Sequence, residues 1–234
     1  MKKKINSFDK IFPNQKFNKK LLRKNKKLEK EIDKLDKILS KGNKAFKIKH
    51  NRHFSIEEMG TIPIILNFYK LIIELKKVKN ILEIGSFIAN SAINFSTSIL
   101  PGGKIVTIEK YFEFYKTAKF NIEKNKLSNV INLIHGDALS IIPKLNKKKF
   151  DMIFLDGNKE AYQKYLVILK EYLKKDGLLI IDDIFFHGDV FNSKPRTKKG
   201  QGVKKCLKYV KNNSNVWRVT LLPISNGILI LRKK

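Results

Sequence analysis

A chain of 234 residues, 42% apolar and 10% aromatic, is long enough to bury a full core and too apolar to be disordered. Its longest apolar runs are strand-sized, which excludes a membrane-spanning helix, and its basic start, MKKKINSFDK, lacks the apolar block of a secretory signal. The single cysteine, Cys206, excludes an internal disulfide and a thiolate metal cluster, so a reduced, cytoplasmic protein is expected.

The formal charge of +29 arises from 50 Lys and Arg against 21 Asp and Glu. Only five of the basic residues are arginine. Lysine, asparagine, isoleucine and phenylalanine share A/T-rich codons, so genome composition contributes to this bias. Charge of that size still attracts polyanions, and a nucleic acid is the expected partner.

Residues 1–54 read as a basic extension. After an irregular arm, Leu21, Leu28, Ile32, Leu35 and Leu39 recur at helical spacing, with Gly42 at the stop position and lysines on the opposite face. From residue 55 to 234 a single domain alternates helix and strand. The predicted elements are a helix from Ile56 to Lys76 broken near Pro63, a strand over Asn80–Ile84, a helix over Asn90–Leu100 and a strand over Lys104–Glu109. A helix over Glu113–Asn125, strands over Val130–His135 and Phe150–Leu155, a helix over Ala161–Lys174 and a strand over Leu178–Ile181 follow. Val216–Leu222 and Ile228–Leu231, joined at Asn226-Gly227, read as a closing antiparallel hairpin. Short apolar strands separated by helices predict a doubly wound, Rossmann-like α/β sheet of seven strands, covered on both faces.

In such sheets ligands bind at the carboxyl ends of the strands. The first strand runs into EIGSFIANSA, a glycine turn opening a helix, which allows the backbone to approach an anionic group. The fingerprint G-x-G-x-x-G is absent, which disfavours a dinucleotide and a nicotinamide oxidoreductase. The next strands end in Glu109, suited to ribose hydroxyls, in Asp137, in Asp156 with Lys159 close behind, and in Asp182-Asp183. Three carboxylates from two neighbouring strands repel one another, and a hard divalent cation such as Mg²⁺ relieves that repulsion.

The elements Met59-Gly60, EIGSFIANSA, TIE (107–109), GDA (136–138), LDGNKEAY (155–162) and DD (182–183) together resemble the cation-dependent O-methyltransferases that include catechol O-methyltransferase. Within that family the chain is most similar to bacterial tRNA 5-hydroxyuridine methyltransferases, through IFFHGDV (184–190), RTKKG (196–200) and the ending ISNGILILRKK. The resemblance implies a class I methyltransferase fold and S-adenosylmethionine as cofactor. Met59, Gly85, Ser91, Glu109, Asp137, Ala138 and Asp156 would contact that cofactor. Asp156, Asp182 and Asp183 would hold the metal, and Lys159 would act with Asp156 at the substrate hydroxyl. The sequence departs from the family pattern twice: Ala89-Asn90 stands where Gly-Tyr is usual, and Asp183 where an asparagine is usual.

The implied reaction is methylation of 5-hydroxyuridine to 5-methoxyuridine at the tRNA wobble position. The tRNA anticodon stem-loop would be the partner, a homodimer the expected assembly, and no membrane is involved. Lys194, Arg196, Lys198 and Lys199, read as a charged loop with no packing role, are the candidate RNA contacts. Phe185, Phe186 or His187 are candidates for stacking on the base. Two other readings stay open: an O-methyltransferase of a small catechol-like or phenolic substrate, and a catalytically inactive basic RNA-binding protein.

Overall fold

The computed structural model describes residues 60–145 and 149–234. The amino-terminal extension, its leucine stripe and Met59 lie outside the described residues.

Helix α1 (Pro63–Leu75) starts at its proline. A proline at the first helical position gives up an N–H that would have no partner anyway, and it forces Ile62 into extended backbone. Strands β1 (Asn80–Ile84), β2 (Lys104–Glu109), β3 (Ile131–His135) and β4 (Phe150–Leu155) follow, separated by α2 (Asn90–Ser96), α3 (Phe112–Lys124) and the short α4 (Ala138–Ile141). Then come α5 (Tyr162–Tyr172), β5 (Leu173–Ile181), α6 (Lys198–Asn212) and the hairpin β6 (Trp217–Leu222) and β7 (Ile228–Lys233). The sheet order is β3-β2-β1-β4-β5-β7-β6. Strands β1 to β5 are parallel; β7 runs antiparallel to both neighbours. The expected seven-stranded, doubly wound sheet with its closing hairpin is thus present.

Strand residues divide by period two between two cores. Leu82, Ile84, Ile153, Leu155, Leu179 and Ile181 pack under α5 and α6; Ile81, Met152, Phe154, Leu178 and Ile180 pack under α1, α2 and α3. Both sets are fully or almost fully buried. At about 1.5–3 kcal/mol per buried large apolar side chain, each face separately rewards closing a helix layer over the sheet.

Several predicted boundaries move, the helix after β1 ending at Ser96 rather than Leu100, and two differences are larger. Strand β5 begins at Leu173 rather than Leu178, because its ladder with β4 jumps from Phe150–Leu173 to Met152–Leu178 and Asp176, at φ +61°, lies in the stretch that takes up the slack. A residue with a short polar side chain followed by Gly177 accepts such a bulge at low cost. The second change is larger: the stretch after Arg196 is a capped helix. Thr197 accepts a hydrogen bond from the Gly200 N–H, and α6 runs on for 15 residues with Val203, Cys206, Leu207 and Val210 buried. Its glycines permit close packing, since a Cβ on Gly202 would strike the Lys159 carbonyl.

Candidate active site

The strand order reverses between β1 and β4, and a cavity of about 380 Å³ opens at their carboxyl ends. Gly85 follows β1 and Asp156 follows β4, and the two segments touch. A Cβ on Gly85 would stand 2.5 Å from the Asp156 carbonyl oxygen, and Gly85 has φ +94°. Only glycine satisfies both conditions.

Glu109, at the end of β2, is buried and lines the cavity. Its two carboxylate oxygens accept the Phe87 and Tyr111 N–H groups, each at 2.8 Å. Burial raises its pKa, while those amides pull it back. The Gly85 turn is thereby tied to the end of β2. Ala89 closes the turn in left-handed backbone, φ +66°. The unusual alanine has kept the geometry that a glycine would adopt, at the cost of local strain. Asn121 on α3 adds a strut, donating to the Ile88 carbonyl at 2.9 Å.

Under this turn lies a network that strand-end reasoning missed. Glu83, inside β1 and fully buried, accepts hydrogen bonds from Ser91 and Thr107, and Thr107 is in turn bonded to Ser86. Burial pushes its pKa up to about 7 against the two hydroxyl donors. Ser91 is therefore engaged with Glu83 and does not line the cavity. Asp137 is also turned aside. It caps α4 through the Leu139 N–H at 2.9 Å and pairs with Lys110 at 2.8 Å, leaving Gly136 and Ala138 as the cavity wall.

The opposite wall carries charge. The Lys159 ammonium stands 3.1 Å from Asp156 and 2.9 Å from Asp183, bridging the two strand ends. Asn158 positions it, capping the short turn Lys159–Ala161 through the Glu160 N–H. Burial alone would lower the Lys159 pKa, but Tyr162, Asp156 and Asp183 outweigh it and hold the ammonium well above the ordinary lysine range. Burial raises Asp156 to about 6 despite Lys159. Asp182 sits behind the wall, its carboxylate accepting the Asp183 N–H at 2.9 Å and facing the Tyr69 hydroxyl. Burial, and then the charges of Asp156 and Asp183, push its pKa well up. The Tyr69 hydroxyl is directed at Asp182, and burial first, then the same three carboxylates, hold its pKa well above the ordinary range.

The three aspartates are thus brought together, in all-oxygen chemistry that suits a hard divalent cation. Among the described residues they do not stand as a finished set of three metal ligands. Lys159 is drawn between two of them.

Of the stacking candidates, Phe186 and His187 line the cavity, and the Lys199 ammonium lies 5.9 Å from the Phe186 ring centre. Both residues have positive φ, +42° and +51°, followed by Gly188 at +83°. Phe185 is buried instead, seated where Gly227 leaves room for its ring. Lys194, Arg196 and Lys198 are exposed and do not line the cavity, whereas Lys199 reaches it. The expectation of a charged loop without a packing role is corrected here. Asp189 gathers the Arg196 and Thr197 N–H groups, the Thr197 hydroxyl and the Asn192 amide. The Arg196 N–H foremost, despite some desolvation, holds its carboxyl well below the usual range. The segment is a fixed entrance to α6.

Residues 37–234 match the O-methyltransferase family. The chain belongs to that family. It is 25% identical over 185 residues to probable caffeoyl-CoA O-methyltransferase 3 of Dictyostelium discoideum, covering 71% of this chain and 73% of that one. It is 27% identical over 141 residues to catechol O-methyltransferase of Niastella koreensis, covering 59% of this chain and 64% of that protein. In fold it resembles the O-methyltransferase from Bacillus cereus solved in complex with SAH, with a TM-score of 0.71 at 23% identity over 75% of this chain and 83% of that one. The architecture is the class I methyltransferase fold. Among the described residues no helix is long and apolar enough to cross a membrane.

Proposed function

We propose that the chain transfers the methyl group of S-adenosylmethionine to a hydroxyl that neighbours a second oxygen, and that its acceptor is 5-hydroxyuridine in the anticodon loop of a tRNA. The observation that carries the reading is the Lys159 ammonium, held between Asp156 and Asp183 in the same cavity as Glu109. A site for a ribose and a site for a developing oxyanion then face each other across one space.

S-adenosylmethionine, bound against Gly85, Glu109 and Ala138, supplies the methyl group. Asp156 and Asp183 at the cavity, with Asp182 behind them, would be the residues to hold a hard divalent cation, which would supply Lewis acidity toward the acceptor hydroxyl. Glu109 keeps free lone pairs beside its two amide bonds and accepts the ribose hydroxyls. Lys159, an ammonium beside two carboxylates, would serve as a fixed cation for the acceptor oxygen; the hydroxyl's proton would leave to solvent, and the methyl would pass from the sulfonium to that oxygen, leaving S-adenosylhomocysteine. Phe186 and His187 hold the acceptor ring in line, and Ile84, Ile108 and Tyr165 give the cavity its apolar lining.

Support for an RNA acceptor comes from Lys199, which lines the cavity with Phe186 and His187, and from the exposed Lys194, Arg196 and Lys198 in the segment that leads to it. A second reading, a small catechol or caffeoyl ester as acceptor, is favoured by the names of the curated relatives. The two separate in one assay, methyl transfer from labelled cofactor to tRNA containing or lacking 5-hydroxyuridine and to free catechol, each with and without chelator. Label only in the 5-hydroxyuridine tRNA, lost with chelator, is expected. Transfer to catechol alone would replace the acceptor.

A further inference from the structure

All 21 acidic residues of the chain lie at or before Asp189, and Val190 to Lys234 carries nine lysines, three arginines and no Asp or Glu. A genome rich in A/T explains abundant lysine but not the loss of every acid from 45 consecutive residues. Most of this segment is α6 and the closing hairpin, so the asymmetry has a place in space.

On α6 the apolar stripe Val203, Cys206, Leu207 and Val210 is buried, while Lys198, Lys199, Lys205, Lys208 and Lys211 are exposed. Among the described residues none of these five ammonium groups lies within ion-pair distance of a carboxylate. Lys204, the sixth, turns inward to the Asn192 and Ser193 carbonyls. From Lys199, which lines the cavity, to Lys211 the helix rises about 18 Å at ~1.5 Å per residue. Lys199 turns to the cavity, on the opposite side of the helix from Lys208, while Lys198, Lys205, Lys208 and Lys211 follow one another along the solvent side as a row of unpaired cations leading away from the site.

We infer that the exposed lysine row of α6 is a track for the phosphate backbone of an RNA whose modified base enters the cavity. The inference rests on the acceptor proposed above and extends it from the rim to a whole helix. An RNA backbone fits better than an anionic lipid surface, because the row has no exposed apolar side chain to insert, its apolar stripe being spent on the core. Phosphates need only point charges at regular intervals, which lysine supplies.

The test is the triple variant Lys205→Glu, Lys208→Glu, Lys211→Glu in the full chain, with unmodified tRNA as probe and Kd measured across a KCl series. A control reversal, Lys116→Glu with Lys119→Glu on α3, alters lysines that already have acidic partners and is compared with the double variant Lys205→Glu, Lys208→Glu of equal charge change. Melting temperature is followed for each, and Lys→Gln replacements at the same three positions serve if the triple variant fails to fold. The α6 variant is expected to bind tRNA at least about 10-fold more weakly, with the slope of log K against log salt reduced by about 2–3, and the α3 variant to bind as wild type. Equal losses in the two double variants, an unchanged α6 variant, or no salt-sensitive tRNA binding by the wild type would each overturn the track. So would binding to phosphatidylserine vesicles that exceeds tRNA binding and is lost in the same variant. Salt-sensitive tRNA binding that depends on α6, without methylation of 5-hydroxyuridine, would support the track and sink the proposed acceptor.

Discussion

The two walls of the cavity are built from different interactions. On the β1–β2 side the polar groups are held by backbone amides and hydroxyls: Glu109 by two N–H groups, Glu83 by Ser91 and Thr107. On the β4–β5 side they are held by one another's charge, with Lys159 bridging Asp156 and Asp183. Amide and hydroxyl donors are fixed by the fold and stay when a ligand arrives. Ion pairs can exchange partners. The first wall suits a ligand of constant shape, the second suits a reaction in which charge appears and disappears.

The comparison breaks most visibly at Lys159. Lys159→Met should cut turnover by about 10²–10³-fold, the loss of roughly 2.7–4 kcal/mol of transition-state stabilisation. Cofactor affinity, measured by calorimetry, should stay within about threefold, roughly 0.7 kcal/mol. A variant that lost both together would show that the walls act as one unit.

The β1–β2 wall makes its own prediction through pH. Glu83 ionises only with difficulty in the folded chain, at about 7 against 4.5 for the ordinary group. The folded state therefore holds its proton more tightly than the unfolded state between those values, and this group's contribution to stability falls as pH rises through them. The full effect is on the order of 3 kcal/mol. Glu83→Gln should remove it, leaving a flatter dependence of the melting temperature on pH between about 4.5 and 7. Asp156 and Asp182 are also raised and persist in the variant, so the difference between the two curves isolates Glu83. Identical curves would mean that the hydroxyl donors already hold the carboxylate ionised.

How much of this was legible in sequence depends on how each residue is held. Strands β1, β2 and β4 begin and end where the apolar runs do, because each is covered on both faces and its composition changes at the edge. Asp156, Lys159 and Asp183 meet as expected, since strand-end position alone brings them together. Ser91 and Asp137 do not follow, because their partners, Glu83 and Lys110, are chosen by tertiary packing. Glu83 was hidden by lying inside a strand instead of at its end. Helix α6 was hidden by composition: its buried period of three and four is diluted by lysines, and Gly200 and Gly202, which resemble helix breakers, are there to let Asp189 and the Lys159 backbone come close.

A smaller effect is expected at Glu109. Glu109→Gln keeps the shape but turns an amide NH₂ toward one of the two N–H groups that the carboxylate accepts. Cofactor binding should weaken by about 10-fold, roughly 1.4 kcal/mol, with turnover at saturating cofactor nearly unchanged. Calorimetry paired with saturation kinetics reads both numbers. A fall in turnover without weaker binding would move Glu109 to the reacting side.

The smallest effect belongs to Ala89, where three terms nearly cancel. Left-handed backbone costs an alanine about 1–2 kcal/mol, which glycine would recover. Against this, removing a fully buried methyl forfeits about 0.8 kcal/mol, and the freer unfolded glycine costs about 0.5–1 kcal/mol more. Ala89→Gly should therefore change stability by no more than about 0.8 kcal/mol, a melting shift under about 3 °C. A stabilisation of several degrees would show that the turn carries more strain than its hydrogen bonds to Ser86 and Glu109 absorb. The β1–β2 wall would then be a tensioned element, no longer the fixed partner of the charged wall opposite.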